Sequence, residues 1–134
     1  MHIFSRNNLV LLTLLISQHA IASEGVNEIS VLMHKSFDKP NKPLMIEAVA
    51  IQDGYAIADW LQGDMGGRAL LAKEEKKWKI LVCGGSGLMQ IPNLVSAQLS
   101  EKTAVSLRSQ LVAQEKNIPK NKLELINSFK ERKH

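Results

Sequence analysis

The sequence contains one cysteine among 134 residues, and aromatic residues make up only 4% of it. A single cysteine cannot close a disulfide within the chain, so the class of small disulfide-stabilised exported domains is excluded. Cys83 must then be buried, reactive, metal-bound or paired with another chain. The fold therefore has to be stabilised by its hydrophobic core.

Dense ligand and nucleotide motifs are also missing. The chain has no Cys-x-x-Cys pair, no Met-x-x-Met array and no histidine cluster. The segment Gly84-Gly85-Ser86-Gly87 lacks the Gly-Lys-Ser/Thr ending of a phosphate-binding loop. The formal net charge of +4 comes from scattered basic residues with little aromatic interleaving, which argues against a nucleic-acid partner.

Residues 1–22 have the pattern of a secretory signal peptide. A short positive start precedes an apolar run over residues 9–16, and Ala20-Ile21-Ala22 supplies the small-x-small signature of a cleavage site. We therefore expect a periplasmic or secreted chain that begins at Ser23 and forms one domain over residues 23–134, with a short basic tail. The apolar run is shorter than the about 20 residues of a membrane-spanning helix, so no stable span should remain after cleavage.

Hydrophobic periodicity predicts an N-terminal helix followed by a sheet. Apolar residues recur at helical spacing over Asn27–Phe37, and the two prolines of Asp38–Pro43 end that helix in an extended linker. Four predicted strands follow at short spacing, over Leu44–Ile51, Tyr55–Gln62, Arg68–Lys73 and Trp78–Cys83. Strands joined this closely form an antiparallel meander.

The turns and the C-terminal part complete an α+β fold. Asp53-Gly54 is typical of a two-residue hairpin, the glycine-rich Gly63–Gly67 predicts the second turn or bulge, and the polar Lys73–Lys77 predicts the third. Three further helical segments are predicted over Leu88–Val95, over Ser100–Lys116 and from Pro119 onward. The order of elements predicts one layer of helices on one antiparallel sheet.

Polar residues in the meander are the candidate binding residues, which are Asp59, Trp60, Gln62 and Arg68. A carboxylate inside a strand either faces water or has a partner, and Arg68 on the neighbouring strand is the natural partner for Asp59. Arg68 could instead pair with Asp64, or grip an anion. We expect Trp60 and Trp78 to cover the sheet against a helix, with an exposed aromatic platform as the alternative.

Cys83 allows two further interpretations. As a nucleophile it needs a lowered pKa and a nearby base, for which His34 is available. As a structural residue it is a small buried side chain at the end of a strand. Strict alternation along the fourth strand predicts that the thiol faces away from Trp78.

Long segments of the chain resemble a known family. These segments are MHKSFDKPNKPL, YAIADWLQGDMGGRALL and W-x-I-L-V-C-G-G-x-x-L, followed by LSEKTAVSLRSQL and IPKNKLELINSF. They are similar to the small bacterial exported proteins called copper uptake system-associated proteins. QGDMGGRALL and the strand from Trp78 to Cys83 are the most specific parts. An acidic residue expected near Ser86 is absent here.

The resemblance implies an exported, non-enzymatic accessory role in copper uptake. The chain would either bind Cu(I) transiently, through Cys83 with Met33 or His34, or dock to a copper transporter or another exported copper protein. Thiolate, thioether and imidazole groups suit this soft ion.

Two alternatives stay open. One is a non-catalytic module of cystatin-like or nuclear-transport-factor-like type that binds a small ligand or a protein. The other is an enzyme that uses Cys83, or Asp59, together with His34.

Overall fold

A single four-stranded antiparallel sheet organises the chain, in the order β1-β2-β3-β4. The structure is a computed structural model that describes residues 23–129, so the predicted signal peptide and basic tail lie outside the described residues. The strands are β1 (Met45–Gln52), β2 (Tyr55–Gln62), β3 (Met65–Glu74) and β4 (Lys77–Gly84). The predicted meander is confirmed.

Each pair of neighbouring strands is joined by a two-residue turn. Asp53-Gly54 has φ values of 50° and 76°, which fit the type I′ turn expected of an Asp-Gly pair. The second turn is only Gly63-Asp64, so the prediction of a turn over Gly63–Gly67 is wrong: Gly66 and Gly67 belong to β3. Glu75-Lys76 forms the third turn, and both residues have positive φ without being glycine (49° and 69°).

Helices surround the sheet. Helix α1 covers residues 23–37 and so begins before the predicted Asn27. A 3₁₀ turn and three helices follow the sheet, over Ser86–Met89, α2 (Ile91–Ser96), α3 (Glu101–Glu115) and α4 (Lys120–Asn127). The Ser100 side chain caps α3 by accepting a hydrogen bond of 3.1 Å from the Thr103 N–H, as the sequence predicts. Pro119 immediately precedes α4 instead of opening its first turn.

Both faces of the sheet are covered, so the prediction of one helical layer is wrong. On one face, Met33 of α1 packs in a buried cluster with Trp60 and Trp78. On the other face, α2 and α3 bury Leu107 and other apolar residues against Ile57 and neighbouring strand residues. Strand β2 is buried without interruption from residue 56 to residue 61, because its alternate side chains enter two different cores.

Two glutamines of α3 close the free edge of β1. Gln114 accepts from the Val49 N–H at 3.0 Å and donates to the Val49 carbonyl at 2.7 Å. Gln110, one helical turn earlier, forms the same paired contacts with Ile51 at 3.3 and 3.2 Å. An amide side chain offers one acceptor and two donors, so it can imitate a neighbouring strand. Strand β4 is therefore the edge of the sheet that these glutamines leave uncovered.

Two glycines allow the backbone near α4 to approach the sheet closely. A Cβ atom on Gly66 would lie 2.9 Å from the backbone of both Leu125 and Ile126. A Cβ atom on Gly85 would clash with the carbonyl oxygen of Asn127. These glycines are needed for close contact, and neither has a positive φ.

Substitution of Gly85 by alanine should therefore destabilise the fold. The new methyl group would meet backbone atoms that cannot rotate away, and overpacking of this kind costs about 1–3 kcal/mol. Gly87→Ala is a matched control in the same loop, because its nearest neighbour would be the Asn93 amide at an ordinary 3.6 Å. Urea denaturation of both variants checks this expectation. Equal stability of the two variants would contradict the close packing of α4.

Candidate functional site

Asp59 and Arg68 face each other across β2 and β3. The two-residue turn at Gly63-Asp64 sets a register in which Asp59 lies opposite Arg68. The Arg68 Nε lies 3.3 Å from the Asp59 Oδ1. The predicted pairing of these two residues is confirmed, and the alternative pairing of Arg68 with Asp64 is not what the structure contains.

Glu115 is the third member of this buried cluster, which we call the arginine cluster (Asp59, Arg68 and Glu115). Glu115 Oε1 accepts hydrogen bonds from Arg68 Nη2 at 2.7 Å and from Arg68 Nε at 3.1 Å. Arg68 Nη1 donates to the Gly85 carbonyl at 3.0 Å. One guanidinium thus ties together β2, β3, the end of α3 and the loop after β4.

Sequence reasoning missed Glu115, although a signal for it exists. Leu107 and Leu111 form the buried stripe of α3, and Glu115 is the next position of that stripe, four residues further on. A carboxylate on the apolar face of a helix requires a buried partner. Arg68 is that partner.

The arginine cluster contains two carboxylates and one positive charge, which sets its protonation. Burial and the nearby Glu115 carboxylate raise the pKa of Asp59 from 3.8 to about 9, and the opposing attraction of Arg68 is smaller. Neither Asp59 oxygen accepts a hydrogen bond. Asp59 is therefore a neutral acid at pH 7, while Glu115 and Arg68 form the ion pair.

The arginine cluster is closed to solvent. The side-chain exposure is 0% for Asp59, 1% for Arg68 and 9% for Glu115. A group that transfers a proton to a substrate must come within hydrogen-bond reach of it, and this enclosure leaves no such approach. In this conformation the cluster positions α3 and the glycine loop on the sheet.

Gln62 and Trp60 also make contacts within the protein. Gln62 Nε2 donates to the carbonyl of Phe37 at 2.7 Å and to that of Lys42 at 2.9 Å, so it fastens the end of α1 and the linker to β2. Trp60 is 7% exposed and packs edge-on against Phe129, with ring centroids 5.5 Å apart. The expectation that Trp60 and Trp78 cover the sheet is confirmed, since both are buried.

The predicted copper ligands have three different environments. Met33 is fully buried in the cluster that half-buried Cys83 borders, so these two residues share one side of the sheet. His34, the next residue of α1, is 41% exposed and its Nδ1 lies 3.0 Å from the Asp38 Oδ1. Between residues 23 and 129 no three His, Cys, Asp or Glu side chains are grouped so that they could hold a metal ion.

Asp38 explains the position of His34. Asp38 Oδ1 accepts a hydrogen bond of 2.8 Å from the Leu44 N–H, and that bond and the one with His34 lower the pKa of Asp38. The pair closes the linker between α1 and β1. His34 therefore serves the end of α1, and the structure does not join it to Cys83.

A bulge determines where Cys83 points. Leu70 pairs with Val82 and Leu71 pairs with Ile80, so Leu81 has no partner residue. The extra residue reverses the alternation of side chains, and Cys83 lies on the same face as Trp78. The prediction of opposite faces is wrong for this reason.

The nucleophile and acid–base hypotheses lack a shared site. Burial raises the pKa of the Cys83 thiol, which disfavours the reactive thiolate. Asp59 lies in the arginine cluster beneath α3, whereas His34 belongs to α1 on the other face of the sheet. Among residues 23–129, no hydrogen bond joins His34 to Cys83 or to Asp59, and the His34 ring is bonded to Asp38 instead.

An accessible groove lies between α1 and the β3–β4 turn, and we call it the α1 groove. Its volume is about 520 Å³. Its lining consists of Glu24, Asn27, Glu28, Val31, Leu32, Lys35, Lys76, Lys77 and Trp78. Val31 is 67% exposed, the highest exposure among the large apolar residues of the described chain. The groove therefore combines open apolar surface with three lysines.

A smaller cavity of about 410 Å³ lies beside the glycine loop. Leu70, Val82, Leu88 and Phe129 line it together with the loop glycines. Its polar side chain, Asn93, donates a hydrogen bond of 2.9 Å to the Gly87 carbonyl. The cavity thus presents mainly apolar surface.

Within residues 23–129, no helix combines the length and the apolar character needed to cross a bilayer. Comparison with family models, with curated proteins and with solved structures finds no match for this chain.

Proposed function

We propose that this chain is a non-catalytic accessory protein that binds a protein partner through the α1 groove. The observation that carries the proposal is the contrast between two sites. The arginine cluster is enclosed and its hydrogen bonds are made within the protein. The α1 groove exposes Val31 to 67% beside Leu32 and Trp78. Exposed apolar surface rimmed by polar residues is typical of a protein-binding site.

The biological setting of this proposal is copper uptake outside the cytoplasm. It is supported by the resemblance of the segments between Met33 and Leu88 to copper uptake system-associated proteins, and by the signal-peptide pattern of residues 1–22. The partner would then be a copper transporter or another exported copper protein. Docking requires no metal ligand from this chain.

Transient binding of Cu(I) is the second candidate. It is favoured by one observation, that Met33 and Cys83 lie in the same cluster. A thiolate and a thioether would suit Cu(I). However, Met33 has no exposed surface, so the two residues do not form an accessible copper site in this conformation.

The copper content of cells that depend on this chain separates the two candidates. We expect Val31→Asp to lower copper accumulation to the level of the deletion strain, because a charge would occupy the apolar groove. Cys83→Ser should accumulate copper as the wild type does. Val105→Asp is a matched control, since Val105 is 47% exposed on α3.

The opposite pattern would support metal binding. Loss of accumulation with Cys83→Ser and normal accumulation with Val31→Asp would overturn docking through the α1 groove. Western blots of the exported fraction would check that each variant is present at wild-type level.

A further inference from the structure

We propose that the partner segment in the α1 groove is an extended, apolar stretch that carries acidic side chains and lies along the first half of β4. This inference rests on the proposed docking function and specifies its ligand. Three observations support it, which are the charge of the groove, the conformation of the β3–β4 turn and the open edge of β4.

The α1 groove has an excess of positive charge once the ion pairs of its lining residues are taken into account. Glu28 is 3.7 Å from the Lys73 Nζ, so one of the two groove carboxylates has a partner. Among residues 23–129, Lys35, Lys76 and Lys77 have no ion-pair partner, whereas Lys79 pairs with Glu74 at 2.9 Å. The groove therefore carries three unpaired lysines against Glu24. An acidic ligand complements this charge.

The β3–β4 turn holds one of these lysines, Lys76, in an unfavourable conformation. Glu75 and Lys76 have φ values of 49° and 69°, where residues other than glycine are strained by on the order of 1 kcal/mol each. An Asn-Gly pair would form the same turn with less strain. The sequence instead places Lys76 and Lys77 on the rim of the groove.

Within residues 23–129, the outer edge of β4 pairs with no further strand, and its backbone groups are available to an extended ligand. In β1 the outward-facing backbone groups of Val49 and Ile51 already form hydrogen bonds with the side chains of Gln114 and Gln110, so that edge is closed. β4 is the other edge strand, and its residues Lys77 and Trp78 line the groove. The bulge at Leu81 interrupts a regular ladder and confines pairing to the part of β4 before it. An added strand gains main-chain hydrogen bonds in this way.

Two end-blocked synthetic peptides test this inference with the purified chain. One alternates valine with aspartate, and the other has lysine at every aspartate position. Titration is followed by the backbone amide NMR signals of the protein. We expect the aspartate peptide to shift signals of residues 77–80 and 31–35 in a saturable way, and to bind about 10-fold or more tightly than the lysine peptide at low salt.

Charge reversal identifies the residues responsible. The double variant Lys76→Glu and Lys77→Glu should bind the aspartate peptide about 10-fold or more weakly than the wild type does. It should also bind the lysine peptide more tightly than the aspartate peptide. Lys102→Glu with Lys116→Glu makes the same change in charge at exposed positions near the two ends of α3 and should leave both affinities unchanged.

Three results would overturn the inference. They are equal binding of the two peptides, no binding of either, and self-association of the chain through the groove. If Val31→Asp abolishes copper accumulation while the lysine reversal leaves it intact, docking stands and the acidic ligand is wrong. The two proposals can thus fail separately.

Discussion

Replacing Arg68 by methionine should lower the free energy of unfolding by about 3–5 kcal/mol, the range seen when one partner of a buried ion pair is removed. Glu115 would lose both of its hydrogen bonds from the guanidinium, at 2.7 and 3.1 Å, and its charge would be left without compensation. The Gly85 carbonyl would lose its donor as well. The cost arises from the groups that stay behind, since methionine itself packs well in a core.

Denaturation in urea measures this loss, with Arg108→Met as the control. Arg108 is exposed and donates to the Met89 carbonyl at 3.0 Å, so its removal should cost less than about 1 kcal/mol. The triple variant Asp59→Leu, Arg68→Met and Glu115→Leu should regain much of the stability, because no buried charge is left without a partner and only the Gly85 carbonyl still lacks its donor. If Arg68→Met is as stable as Arg108→Met, the arginine cluster does not hold the fold together.

The local parts of this fold could be predicted from the sequence. Asp53-Gly54 identifies a hairpin because its residues accept positive φ, and the strands on either side follow from it. The pairing of Asp59 with Arg68 was predictable from their opposite charges on neighbouring strands, although the turn between β2 and β3 has two residues and not the predicted five. Contacts that depend on one turn lie within reach of sequence reasoning.

The non-local parts could not be predicted. Glu115 reaches Arg68 only because α3 crosses the sheet, and no pattern near Arg68 indicates that contact. The bulge at Leu81 reverses the side-chain alternation of β4. No glycine or proline at that position indicates a bulge, so the sequence predicts Cys83 on the wrong face. Coverage of both faces by helices was missed, although the uninterrupted apolar run of β2 is consistent with it.

The copper ligand set shows the same limit. Met33 and His34 are adjacent in the sequence, but neighbouring positions of a helix point about 100° apart. Met33 therefore enters the core while His34 turns toward Asp38. Met33 and His34 therefore do not contribute to one site, although they are neighbours in the sequence.

The second large effect concerns the proton on Asp59. Its pKa is about 9 in the folded protein and 3.8 without the fold, so between these values the folded chain binds a proton that the unfolded chain lacks. Stability contributed by this proton is complete below pH 3.8 and decreases as the pH rises toward 9. One proton corresponds to a slope of about 1.4 kcal/mol per pH unit.

Asp59→Asn isolates this contribution, because the amide resembles the neutral acid in shape and has no proton to lose in this range. Titrating groups outside the arginine cluster affect the wild type and the variant alike, so they cancel in the difference between the two free energies of unfolding. That difference should shift in favour of Asp59→Asn as the pH increases.

The pH dependence of this difference, measured by urea denaturation between about pH 5 and pH 8, is the most direct test of whether the arginine cluster is a closed structural element. We expect the stability of Asp59→Asn relative to the wild type to rise by about 1.4 kcal/mol per pH unit across this range. A difference that stays constant would mean that Asp59 is ionised in the folded protein, and it would contradict the neutral, enclosed Asp59 of this account.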